Sequence, residues 1–189
     1  MRIFSKKVIG MNSDDFKNIG FYGRIAFGIN CFEEALIFLK YDISKWKPVL
    51  ERLWTFTNAE FFDDWLYLIC EILPECILEF GNYTDDYEYI DEKEYYYFYE
   101  LYQNMDNRLE TIMGLIHRLG ESHIYSVIIN NGPESLENVQ EIIDFMFMND
   151  LPIPNIEAYK TISIAENNGW GNLFDDYSPS ILKNYGKKI

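Results

Sequence analysis

Residues 24–40, RIAFGINCFEEALIFLK, decide the fold. Ile25, Ile29, Phe32, Leu36 and Leu39 recur at steps of four, three, four and three, which keeps them on one face of a helix. A half-buried strand would need strict alternation, and the run has none. Glu33, Glu34 and Lys40 fall off the apolar stripe, so the expectation is a helix with a core-facing side and a solvated back.

The same period continues on the C-terminal side. Ser44 offers an N-cap to a second helix, with Pro48 near its first turn and Val49, Leu50, Leu53 and Phe56 facing inward. Thr57 and Glu60 have capping-box spacing for a third helix running through Phe61, Phe62, Trp65, Leu66, Ile69 and Ile72. Trp46, Trp54 and Trp65 lie in this region. Their helical context assigns them to core packing rather than to a ligand cage, because each ring brings a large apolar area to bury. Pro74 opens a short apolar element that ends at the turn signal Gly81-Asn82.

Tyr83–Tyr102, YTDDYEYIDEKEYYYFYELY, is different in kind: eight tyrosines and seven acids stand against one cation, Lys93. Glu92–Met105 can be helical, with Tyr95, Phe98 or Tyr99, and Tyr102 on one side. Thr84–Asp91 reads as an exposed loop. Leu109, Ile112, Met113, Ile116 and Leu119 mark a further helix, closed by Gly120 as a left-handed cap. After the break Asn130-Asn131-Gly132-Pro133, Leu136, Val139, Ile142, Ile143 and Met146 build another, ending near Asn149.

The fold class expected is mainly α: one domain over residues 1–189, a helical bundle with an N-terminal arm at 1–20 and an irregular wrapping tail at 151–189. The alternative, α+β with one short sheet, stays open. Residues 1–20 could supply a short strand, and His123–Ile129 is too short for period alone to separate strand from buried helix.

The formal net charge is -15, and it is concentrated in the middle of the chain: residues 1–20 carry +2, 21–82 carry -5, 83–102 carry -6, 103–150 carry -6 and 151–189 balance at zero. Phosphate neutralisation needs clustered Lys and Arg, so nucleic acid is excluded as a partner. A basic protein is the natural complement. Cys31, Cys70 and Cys76 make an odd count without a CxxC pair, which fits reduced thiols in a reducing compartment. No apolar run is long enough for a bilayer and the N-terminus lacks a signal-peptide core, so no membrane is expected and the location read is cytoplasmic.

Catalytic signatures are missing. His117 and His123 belong to no metal-ligand pattern, no GxSxG elbow occurs, and neither GxGxxG nor GxxxxGK is present. Adjacent acids such as Glu33-Glu34, Asp63-Asp64 and Asp175-Asp176 diverge on a helix and suit a solvated face better than shared acid and base work. The expectation is therefore a binding protein, not an enzyme, with no metal and no cofactor. The candidate partner-binding residues are Tyr83, Asp85, Asp86, Tyr87, Glu88, Tyr89, Asp91, Glu92 and Glu94, carboxylates supplying the field and tyrosines the rigid contacts.

GRIAFGINCFEEAL, KPVLERLWTFTNAEFFDDWLYLICEILPECILEF and EIIDFMFMNDLPIPNIEAYKTISIAENNGWGNLFD follow one another in an order that resembles small immunity proteins of bacterial polymorphic-toxin and contact-dependent inhibition systems. The resemblance spans roughly residues 23–174 and rests on segment style and acidic, Trp-rich character. It implies a cytoplasmic antidote that binds and neutralises a cognate toxin domain, commonly a nuclease, whose basic groove carboxylates and aromatics would fill. Because toxin-contacting residues vary among such proteins, it transfers no particular residue. Two other readings are kept: an acidic helical adaptor or regulatory binding protein, and a hydrolase whose carboxylates converge only in three dimensions.

Overall fold

The computed structural model describes residues 10–57, 59–174 and 179–185, and over these the protein is mainly helical. The helices are α1 (Phe21–Phe38), α2 (Ile43–Trp54), α3 (Phe62–Glu71), α4 (Pro74–Phe80), α5 (Glu92–Tyr102), α6 (Asn107–Glu121), α7 (Pro133–Met148) and the short α8 (Leu182–Tyr185). The only bridge between extended residues described is Ile19 with Ser163, so the α+β alternative is not realised among the described residues. Residues 1–9 of the expected arm and the Asp175-Asp176 pair lie outside them.

The opening stretch is the axis of the molecule. α1 packs against α2, α6 and α7, and fourteen of its eighteen residues are buried. It has no solvated back: Glu33 is fully buried and Glu34 half-buried, which corrects the expectation of a two-faced helix. A helix apolar on nearly all sides minimises exposed area only at the centre of a bundle. Gly28 permits the close approach, since a Cβ there would stand 3.3 Å from both Ile116 on α6 and Ile142 on α7.

Several local expectations are corrected by where hydrogen-bond partners lie. Asp42, not Ser44, caps α2, its Oδ1 accepting from Ser44 N at 3.0 Å, and Pro48 sits inside the helix instead of in its first turn. The Thr57-Glu60 capping box does not form, because the Thr57 hydroxyl donates back to Trp54 O at 2.9 Å in a 3-10 turn. α3 starts at Phe62 without a side-chain cap. Gly120 does not close α6 with a left-handed residue; it lies within the helix, where a Cβ would stand 2.8 Å from the Trp65 ring. His123–Ile129 forms neither strand nor helix but a turn followed by an irregular stretch. Gly81, by contrast, does end α4 in the left-handed region, at φ 67°. Trp46, Trp54 and Trp65 are core residues, all at most 2% exposed.

The tail does more than wrap the bundle. Tyr159 is buried, and its hydroxyl donates to Asn30 Oδ1 on α1. Gly20, the N-cap of α1, has no side chain to offer the first-turn amides, and the tail takes over: Tyr22 N donates to Trp170 O at 2.9 Å. Farther along, the Glu33 carboxylate accepts from Trp54 Nε1, Asn30 Nδ2, Ser180 Oγ and Ile181 N at 2.5–3.1 Å, joining α1, α2 and the segment at 180–181. Burial pushes the Glu33 pKa above its ordinary value, and these four hydrogen bonds pull it back. Arg24 plays the corresponding part at the other end of α1. All five of its N–H groups are used, on Phe16 O, Ile19 O, Asn131 O, Gly132 O and Ser135 Oγ, and burial lowers its pKa to about 10.

Candidate functional site

The acidic loop is held from three sides. Glu71 at the end of α3 accepts from the backbone amides of Glu88 and Tyr89, at 2.7 and 2.8 Å, so one carboxylate fixes the crest of the loop. Tyr83 and Tyr87 stack with ring centroids 5.8 Å apart, and both rings meet Tyr95 on α5 at 5.9 and 5.3 Å. The Tyr87 hydroxyl donates to Cys76 O at 3.1 Å, and partial burial moves its pKa to about 12. Asp91 then caps α5 in a reciprocal box with Glu94, and Glu94 also pairs with Arg52 of α2.

The nine residues singled out from the sequence therefore divide. Asp85, Asp86, Glu88, Asp91 and Glu92 are exposed, and among the described residues none forms an ion pair. Glu94 is half-buried and engaged in capping and the Arg52 pair. Tyr83, Tyr87 and Tyr89 are half-buried and not fully presented as the loop reading suggested: the Tyr83 and Tyr87 rings pack on Tyr95 of α5, and the Tyr87 hydroxyl donates to Cys76 O. Beneath the loop lies a hollow of about 240 Å³ whose lining includes Cys70, Glu71, Cys76, Glu79, Asp86 and Tyr87. Burial raises the pKa of both cysteines, Cys76 to about 12, so their thiols stay protonated and are poor nucleophiles.

The structure extends this face in a direction the sequence did not show. Desolvation and the neighbouring Asp64 carboxylate raise the Tyr89 pKa, and Tyr125 donates to Asp63 Oδ2 at 2.7 Å. The two acids open α3 and connect the loop at 83–91 with the segment at 123–129. Between them, Tyr67 is 52% exposed and neighbours Tyr125. Tyr125, Val127 and Ile129 are among the most exposed large apolar side chains described, at 78%, 64% and 68%, and Phe61 reaches 59%. The result is one surface on which carboxylates alternate with aromatic rings. The apolar composition of 123–129 was visible in the sequence, but nothing local says that Tyr125, Val127 and Ile129 face outward while His123 and Ile128 are buried.

One nucleophile stands beside a base. His123 Nε2 lies 2.8 Å from Ser135 Oγ, but both side chains are buried, the hydroxyl donates to Gly132 O, and Arg24 donates to it at 2.6 Å. Such a serine is held as a structural node, buried among its hydrogen-bond partners. Glu33 is the carboxylate in the most desolvated setting, and its oxygens are occupied by four internal donors. Among the described residues no group of three His, Cys, Asp or Glu side chains is arranged to hold a metal ion, and no helix is long and apolar enough to cross a membrane. No family model, curated protein or solved structure matches this chain.

Proposed function

We propose that the protein is an immunity-type inhibitor that acts in the cytoplasm, binding a basic protein toxin domain of the nuclease kind through the surface formed by the 83–91 loop, the outer side of α3 and the 123–129 segment. The observation that carries this reading is the set of exposed carboxylates Asp85, Asp86, Glu88, Asp91 and Glu92, which form no ion pair among the described residues and sit on the loop, and the start of α5 that follows it, held in place by Glu71, Tyr87 and Tyr95. Uncompensated charge on an ordered scaffold gives up little conformational entropy on binding and attracts an oppositely charged partner over a Debye length, about 8 Å at physiological salt. A nuclease presents the complementary field, since it must neutralise phosphates. Half-exposed tyrosines beside the carboxylates supply the rigid apolar contact that charge alone does not.

The test is co-expression with the product of the neighbouring upstream reading frame, scoring growth and co-purification. Rescue of growth and recovery of a complex are expected. The triple variant D85K/D86K/E88K, whose formal charge is less negative by six, is expected to associate about tenfold or more slowly at low salt, with a flatter salt dependence. Loss of neither rescue nor association rate in that variant would refute the surface assignment. A neighbouring product that is harmless to the cell would refute the immunity reading and leave an acidic binding protein of another kind.

A further inference from the structure

Four aromatic side chains line one hollow at the edge of the proposed face without being sealed into the core. Tyr22 from α1, Phe62 from α3, Tyr125 from the connecting segment and Trp170 from the tail line a hollow of about 360 Å³ with Asn167 and Asn168. Their placement is enforced by backbone and indole hydrogen bonds. Tyr22 N donates to Trp170 O at 2.9 Å, Trp170 Nε1 donates to Ser126 O at 3.1 Å, and Ile128 N donates to Asn168 O at 3.2 Å. Trp170 is braced edge-on by Phe21 and Phe62, at centroid distances of 4.9 and 5.2 Å, and by Tyr22 at 5.4 Å. The turn that delivers it needs Gly169 and Gly171 at φ 92° and 80°, because a Cβ on either would strike Ile128 or Ile162.

We infer that this hollow is a socket for an arginine side chain presented by the partner, an inference that rests on the reading of the acidic face as a docking surface for a basic protein. The faces of Trp, Tyr and Phe carry negative quadrupole potential and attract a cation, Trp most strongly. The lining described contains no charged side chain that would compete with one. Tyr125, which lines the hollow, donates its hydroxyl proton to Asp63, which enriches its ring in electron density and keeps a carboxylate next to the lining. Guanidinium fits this combination better than ammonium, since it is planar, stacks on rings and is more weakly hydrated. An uncharged apolar side chain would use the rings but leave Asp63 without a counter-charge. The socket adjoins Asp63 and Asp64, the acids that connect the segment at 123–129 to the acidic loop, so one basic partner can engage both.

The experiment follows the four indole N–H resonances of the full, ¹⁵N-labelled chain during titration with N-acetyl-arginine amide, and separately with its uncharged isostere N-acetyl-citrulline amide. Trp46, Trp54 and Trp65 are buried and serve as internal references, while the Trp170 signal is assigned by its loss in Trp170→Phe. Expected is a saturable shift of the Trp170 indole with the arginine probe, steady signals from the other three, and binding of the citrulline probe weaker by about fivefold or more. Tyr125→Leu is expected to weaken the arginine probe several-fold while leaving the fold intact, because that side chain is 78% exposed. A Trp170 signal that does not move, or moves equally with citrulline, would overturn the socket. The variant D85K/D86K/E88K separates the two readings: it slows protein association but leaves the probe's effect on Trp170 unchanged. A bound probe with no basic partner would therefore sink the functional reading alone, and unaltered partner affinity in Tyr125→Leu would sink the socket alone.

Discussion

Replacing Glu33 tests whether one buried carboxylate holds the end of the chain to the bundle. Its Oε1 accepts from Trp54 Nε1 at 2.9 Å and from Ser180 Oγ at 2.5 Å, and its Oε2 accepts from Asn30 Nδ2 at 2.6 Å and Ile181 N at 3.1 Å. Glu33→Gln preserves the volume but converts one acceptor oxygen into an NH₂ group that faces two donors. Asn30 Nδ2 keeps Pro179 O at 3.1 Å, so the main loss falls on Ile181 N, or on Trp54 and Ser180 if the amide is reversed. With each buried donor left unsatisfied costing about 1–3 kcal/mol, and charge assistance lost at the rest, the variant should be destabilised by about 2–4 kcal/mol near pH 7.

The pH dependence has a defined sign. Because burial holds the folded-state pKa of Glu33 above the ordinary 4.5, the folded protein binds more protons than the unfolded chain in the window just above that value. This group's contribution is fully present below 4.5 and is lost as pH rises through the elevated folded-state value. Glu33→Gln abolishes the contribution, so the gap between wild type and variant should narrow as pH rises through the window. Urea unfolding followed by tryptophan fluorescence at several pH values measures both quantities, and amide exchange at Ile181 reports the segment directly. A variant within about 0.5 kcal/mol of wild type, with unchanged protection at Ile181, would refute the assignment of the carboxylate as the anchor.

Two glycines of α6 give opposite outcomes. Gly114→Ala meets nothing within 4 Å and should stabilise by about 0.5–1 kcal/mol, whereas Gly120→Ala drives a methyl to 2.8 Å from Trp65 and 3.0 Å from Leu66 and should lower the melting temperature despite the same helix-propensity gain. Arg24→Lys offers three donors where five are used and should cost about 2–4 kcal/mol in chemical denaturation, as backbone carbonyls lose their partners in a buried site. Tyr125 should titrate near 12 because its hydroxyl is bound to Asp63; in Asp63→Asn its pKa should fall towards 10, as followed by ultraviolet difference absorbance of wild type against Tyr125→Phe.

The sequence by itself determined that the chain is helical, roughly where most helices lie, and which large side chains make the core. Period, Gly and Pro punctuation and apolar volume are local properties, and they suffice for Ile25 to Leu36, for Trp46, Trp54 and Trp65, and for Tyr95, Phe98 and Tyr102. The acidity of residues 83–94 was equally plain. What the tertiary structure decided was where polar groups find their partners. Glu33 read as a solvent-facing helix charge and Arg24 carried no expectation of its own, yet α1 lies at the centre of the bundle and surrounds both with donors and acceptors from residues more than one hundred positions away. Gly120 read as a helix stop, but a ring from α3 occupies the space its missing Cβ leaves. The same holds for the site. Tyr22, Phe62, Tyr125 and Trp170 have no common period or motif, and only the return of the tail to the start of α1 brings their rings together beside Asp63.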